Sequence, residues 1–195
     1  MATSATPMGA EPVGTLSASG SFTGKVRHIK IANAYGTAIF YGDFVKLVAA
    51  GTVEKAAVTT AAVAGTVGIF VGCSYTDPNT NQKTFNQQFP ASTAADDIMA
   101  YVVDDPKLLF QMQGDGSIAQ TGLGNNVSAI STAGSTSIGR SKNALDASSI
   151  ATTNTLPLRI VDFVDGPSSS VGDSFTDCIV TYLPLSHAYE TALGV

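Results

Sequence analysis

Large apolar side chains in this chain recur at every second position in short runs that stop at Gly, Pro, Asp or Asn. No window sustains a 3.6-residue apolar period over three turns. That pattern selects strands over helices. Residues 25–31 alternate Val26, His28 and Lys30 against Arg27, Ile29 and Ile31; residues 38–41 lead to a Gly42-Asp43 turn, and residues 44–48 resume. Residues 68–75, GIFVGCSY, are the most strand-like. They place Ile69, Val71, Cys73 and Tyr75 on one face and Gly68 and Gly72 on the other, where a second backbone can approach closely. Residues 98–103 and 108–113 are strands separated by a bend at Asp104-Asp105-Pro106, and residues 156–164 and 177–182 close the set. The expected fold is all-β: a single compact β-barrel or β-sandwich that pairs distant segments.

Residues 1–24 are small and polar, and Pro7, Pro12, Gly14 and Gly20 interrupt any period, so they are expected to form an extended N-terminal arm before a β domain at 25–195. Composition alone fits equally a free tail and an arm ordered only against a partner. Two long loops interrupt the domain. Residues 76–95 open with a turn at Thr76-Asp77-Pro78-Asn79 and carry Phe85 and Phe89 in a polar setting. Residues 114–155 hold few large apolar groups, with a helical turn expected near 118–122 and a short strand near 136–140. The uncharged stretch 56–75 has the length of a membrane span, but it contains no Leu. Its three glycines and Thr/Val content suit strands and turns.

Charge narrows the function classes. Ten Lys and Arg against 15 Asp and Glu give a net charge of −5, which argues against a nucleic-acid binder that works by neutralising phosphates. Charged residues make up only 13% of the chain, leaving a neutral-polar surface of the kind that lies against other proteins. Residues 1–12 lack the basic start and apolar centre of a signal peptide, so synthesis in the cytoplasm is expected.

Reactive constellations are sparse. The two histidines, His28 and His187, have neither a partner at ligand spacing nor an adjacent carboxylate pair, so no metal or other cofactor is expected. Gly-x-Ser-x-Gly is absent, and Ser168-Ser169-Ser170 reads as a polar turn. Asp96-Asp97 and Asp104-Asp105 are neighbours, which on a strand point to opposite faces. Gly114-Asp115-Gly116 and Gly122-Leu123-Gly124 lack the Gly-Lys-Ser/Thr of a phosphate loop and read as tight turns. Cys73 and Cys178 fall in strands, as two buried thiols or as a bridge between their segments. No enzyme is expected.

Four stretches carry a resemblance: Tyr41-Gly42-Asp43-Phe44-Val45-Lys46, the strand Gly68-Ile69-Phe70-Val71-Gly72-Cys73-Ser74-Tyr75, Ala100-Tyr101-Val102-Val103-Asp104-Asp105-Pro106, and Phe110-Gln111-Met112-Gln113-Gly114-Asp115-Gly116. In these the chain resembles the capsid decoration, or cement, proteins of tailed double-stranded DNA bacteriophages, particularly a group from marine and related short-tailed phages. The resemblance implies a non-enzymatic virion protein on the outer capsid surface that clamps adjacent major capsid subunits. Proteins of that kind occur as trimers, dimers or monomers; the low surface charge favours contact with neighbouring copies as a trimer or dimer, and the acidic balance and the strand-like uncharged stretch leave no direct contact with nucleic acid or membrane expected. Candidate capsid contacts read from the residues are Thr3, Pro7, Pro12, Leu16 and Phe22 in the polar, aperiodic arm, and Phe85 and Phe89, large apolar groups in a polar loop that either anchor an interface or fold back on the barrel.

Three other functions are open to an all-β chain of this composition. A glycan- or host-surface-binding module would draw on Asn79, Asn81, Gln82, Gln87 and Gln88. A small hydrolase would need Asp96, Asp97, Asp104 or Asp115 to converge. A major capsid subunit is the third, although 195 residues without a long helix is short for a shell-forming fold.

Overall fold

The structure is a computed structural model that describes residues 4–17, 22, 24–58, 66–191 and 194. Its strands are β1 (Glu11–Thr15), β2 (Arg27–Lys30), β3 (Phe44–Leu47), β4 (Val53–Lys55), β5 (Thr66–Thr76), β6 (Lys83–Asn86), β7 (Met99–Val103), β8 (Leu108–Gln113), β9 (Asn126–Val127), β10 (Ala129–Ile130), β11 (Ala144–Leu145), β12 (Leu158–Phe163) and β13 (Asp177–Tyr182). Helical structure among the described residues is limited to single 3-10 turns, one of them at Gln120–Gly122 near the expected helical turn. The protein is all-β. No helix among the described residues is long and apolar enough to cross a membrane, and residues 66–75 of the uncharged stretch lie in the long strand β5.

Two sheets organise the molecule. In the first, the order is β2-β7-β5-β3-β4, with β6 pairing the C-terminal part of β5. A parallel bridge between Ile31 and Val53 brings its two ends together. The sheet therefore curls around an apolar centre that includes Ile31, Ile39, Val45, Val53, Phe70, Phe89 and Val102. The second sheet, β1-β8-β13-β12-β9, packs on the outside of the first. Leu108, Phe110 and Met112 of β8 alternate inward with Cys178, Val180 and Tyr182 of β13, and they meet Phe44, Ile69 and Val103 of the curled sheet. Phe44 lies edge-on to Phe110 at 5.6 Å and to Tyr182 at 6.1 Å, a favoured aromatic geometry. The Asp104-Asp105-Pro106 bend is the point where the chain leaves one sheet for the other, because β7 and β8 belong to different sheets.

β5 departs from the simple alternation expected of it. Ile69 faces the second sheet with Val71 at the margin of that core, whereas Cys73 and Tyr75 lie inside the curled sheet. The cause is a bulge between Phe70 and Gly72 opposite β7, where one extra residue inverts the facing of everything beyond it. The two cysteines therefore sit in different cores as buried free thiols. Close backbone approach at the glycines is present: a Cβ at Gly68 would collide with the Val103 carbonyl, and one at Gly72 would lie 3.1 Å from the Asn86 carbonyl oxygen.

Several local expectations are corrected. Pro12 and Gly14 do not exclude a strand: Glu11–Thr15 is extended, but as the edge strand of this chain's own second sheet, paired with β8. An edge tolerates proline's missing N–H, and a register shift between Pro12 and Gly14 leaves Val13 pointing outward at 44% exposure. Residues 38–41 make only isolated bridges, Ile39 to Phe89 and Tyr41 to Arg140. The strand expected near 136–140 is a turn closed by a bridge between Ser135 and Arg140.

Gly68→Ala is expected to lower stability by at least about 2 kcal/mol, because the methyl group must displace a strand backbone that is buried on both sides. Chemical denaturation of the variant against the parent checks this; an unchanged midpoint would contradict the β5–β7 packing.

Candidate interaction surface

The seven candidate contact residues have different fates. Thr3 lies outside the described residues. Pro7 is half-buried and lines an apolar groove with Ala5, Ile130, Ala144 and Phe175. Pro12 is half-buried within β1. Phe22 packs with Val26 against the core between the sheets, so it holds the N-terminal segment to this chain. Leu16 is half exposed, and its N–H donates to the Lys107 carbonyl at 2.8 Å. Phe89 is fully buried: its backbone exchanges hydrogen bonds with Ile39 at 2.7 and 3.1 Å, and its ring stacks on Tyr35 at 6.2 Å. Phe85 is 72% exposed, more than any other large apolar side chain among the described residues.

Register explains why Phe85 and Phe89 part company. Phe85 stands opposite Ser74 on β5, Ser74 opposite Met99 on β7, and Met99 opposite Lys30 on β2. Directly paired residues share a face, so these four form one row across the sheet. The next row runs Gly72, Tyr101, His28, with the His28 and Tyr101 rings 4.5 Å apart. Val103, farther along the same face of β7, is already in the core between the sheets. The patch of Phe85, Met99, Tyr101 and His28 is therefore the uncovered continuation of a core face. Met99 and Tyr101 read from sequence as ordinary strand residues; only their cross-strand partners reveal the patch.

The hairpin that presents Phe85 is held at its turn end, where Thr76 and Lys83 pair. Asp97 accepts from Lys83 Nζ at 2.8 Å, from the Thr76 N–H at 2.9 Å and from Thr76 Oγ1 at 2.8 Å. The bond from Lys83, followed by those from Thr76, holds the Asp97 carboxyl well below the usual carboxylate range. At the hairpin tip the Asn79 N–H donates to Asp77 Oδ1, and Asn81 adopts a positive φ of 55°, which is turn chemistry.

The other candidate acids do not converge. Asp104 pairs with Arg27 at 2.6 Å and accepts from the Tyr189 hydroxyl at 3.2 Å. Asp96 accepts from Asn33 Nδ2, and Asp115 from the Ala147 N–H. Burial pushes the Cys73 and Cys178 thiols up to about 12, so neither is a ready nucleophile. Among the described residues no group of three or more His, Cys, Asp or Glu is placed to hold a metal ion.

Two buried polar centres escaped the sequence. Asp43, visible only as a turn residue, is fully buried. It accepts from the Phe40 N–H at 2.9 Å, Lys55 Nζ at 2.9 Å, Ser141 Oγ at 2.6 Å and Asn143 Nδ2 at 3.2 Å. His187 is also fully buried, 5.2 Å from each of the Tyr182 and Tyr189 rings. Burial lowers its pKa, against the raising effects of the Val67 backbone and of Glu190, Asp104 and Asp105. The adjoining chain is anchored by a hydrogen bond from the Ala188 N–H to the Thr66 carbonyl and by a Lys107–Glu190 ion pair at 2.7 Å.

Comparison of the chain with protein-family models, with curated proteins and with solved structures finds no match in any of the three.

Phe89→Ala should cost about 3–5 kcal/mol through the cavity it leaves, while Phe85→Ala should change stability by less than about 0.5 kcal/mol. Parallel thermal melts would show it, and equal losses would contradict the exposure of Phe85. His187 predicts a pH dependence. A buried imidazole with a lowered native pKa leaves stability intact above the ordinary histidine value of about 6.5, and stability falls as the pH drops below it towards the native value. His187→Gln should flatten the midpoint-against-pH curve as the pH falls below about 6.5. An unchanged slope would exclude His187 as its source.

Proposed function

We propose that the protein is a structural virion component that binds the outer surface of an icosahedral phage capsid and clamps adjacent major capsid subunits. The observation that carries the proposal is the patch headed by Phe85: an aromatic group 72% exposed, on a hairpin fixed at its turn end by Asp97, within a weakly charged surface. Large exposed aromatics on rigid elements are what binding hot spots are made of, because little ordering entropy is lost on docking. The four stretches that resemble decoration proteins point the same way. Their residues make the Asp43 turn, β5, the β7-to-β8 corner and β8, so the resemblance rests on the scaffold and assigns no chemistry.

Contacts from the N-terminal segment enter this proposal in altered form. Residues 11–15 complete the chain's own sheet, so contacts with the shell fall to Leu16 and to residues before Met8. A ligand that binds only the expanded shell stabilises it by linkage, and repetition over a lattice multiplies a modest energy per copy. Neighbouring copies of the protein on the shell are part of the same proposal.

Co-sedimentation with expanded capsids of the encoding phage, stripped of this protein, tests the proposal. The parent should bind and raise the capsid melting temperature. Phe85→Ala, with its fold intact, should bind at least about tenfold more weakly. Failure of the parent to bind any expanded shell would overturn the assignment.

A further inference from the structure

We infer that Lys55 and Asn143 become joined in the folded protein by a side-chain amide bond, formed within the Asp43 centre. Three groups meet there that such a bond requires, away from water. Asp43 is fully buried, Asn143 is 1% exposed, and the Lys55 side chain is 14% exposed with its Nζ 5.8 Å from the centroid of the Phe40 ring. One carboxylate holds both reactants: Oδ2 accepts from Lys55 Nζ at 2.9 Å and Oδ1 from Asn143 Nδ2 at 3.2 Å. Asn143 Oδ1 accepts from the Thr132 N–H at 3.0 Å. These contacts also fix the orientation of the amide, since only its NH2 can donate to a carboxylate and only its oxygen can accept from an N–H.

The chemistry follows from that placement. Asp43 takes a proton from the Lys55 ammonium, and the freed Nζ lone pair attacks Asn143 Cγ. Negative charge develops on Oδ1, where the Thr132 N–H already points. A proton passes through Asp43 to Nδ2; the Cγ–Nδ2 bond breaks as the Nζ–Cγ amide is completed. Overall one ammonium ion leaves for each amide formed, with no oxidant, cofactor or second substrate. Proximity on a shared carboxylate, in a site that excludes water, is the means by which an unreactive carboxamide becomes an acceptor. The product ties β4 to residues 141–143, which are remote in sequence.

Intact-mass measurement of the purified full-length protein tests this, after allowance for removal of the initiator methionine. The parent should be lighter than its sequence by one ammonia, about 17 Da, and a protease digest should contain a branched peptide joining residues 55 and 143. Lys55→Arg and Asp43→Asn should each restore the sequence mass. If either variant fails to fold, the parent's mass and digest decide alone. The full sequence mass in folded parent protein, or a deficit without that branched peptide, would overturn the inference. A loss of about 18 Da mapped to Lys55 and Asp43 would overturn it too, replacing it with condensation onto the aspartate. None of these outcomes depends on capsid binding.

Discussion

A carboxylate without access to water can persist only if its oxygens are surrounded by donors, and Asp43 sets the terms for much of this structure in that way. An isolated buried ion is prohibitively costly, and a paired one is tolerable only when its remaining lone pairs are filled. The four donors come from three places in the chain: the turn before β3, the end of β4, and Ser141 and Asn143 in the long segment that carries few apolar groups. Backbone bonds gather around the same point. The Ala10 N–H donates to the Gly42 carbonyl, the Gly42 N–H to Phe70, and the Phe70 N–H to Asp43. A Cβ at Gly9 would come within 2.6 Å of both the Gly42 oxygen and Ser141 Cβ, so the N-terminal segment lies directly against this centre. The centre gives a loop-rich region a fixed location that its own hydrophobic content does not supply.

The apolar part of the architecture depends on β5 in a comparable way. An 11-residue strand that is buried along nearly all its length must serve two cores, because the sheet it belongs to curls around one and offers its outside to the other. Bulges make this possible. They change which face each residue meets, and glycines at 68 and 72 let neighbouring backbone come close where a side chain would intervene. The same geometry creates the exposed patch. The second sheet covers the Val103 end of one face and leaves the Met99 end bare, so a packing surface continues into an exposed apolar one without any change in strand type.

Ionic groups play an architectural role throughout the described residues. Asp97 joins β5 to β6 through Thr76 and Lys83, Asp104 joins β2 to the tail through Arg27 and Tyr189, and Arg140 reaches Glu11 at 3.3 Å while its guanidinium lies 4.9 Å from the centroid of the Tyr41 ring. A chain with so few charges has placed several of them at joints between elements.

Strand identity was legible in the sequence because alternation is a local property: residues 44–47, 99–103, 108–113, 158–163 and 177–182 all appear where the pattern puts them. The two Asp-Asp pairs were also legible as structural, since neighbouring acids on an extended chain diverge. What the sequence could not reveal was decided by partners far along the chain. β1 forms at Pro12 because β8 offers it an edge; Cys73 turns away from Val71 because β7 imposes a bulge; Phe89 is buried and Phe85 bare because one pairs with Ile39 and the other lies across from Ser74. Local periodicity determines that a segment is a strand, but facing, burial and the company of a buried charge are set by long-range register, which a one-residue shift inverts.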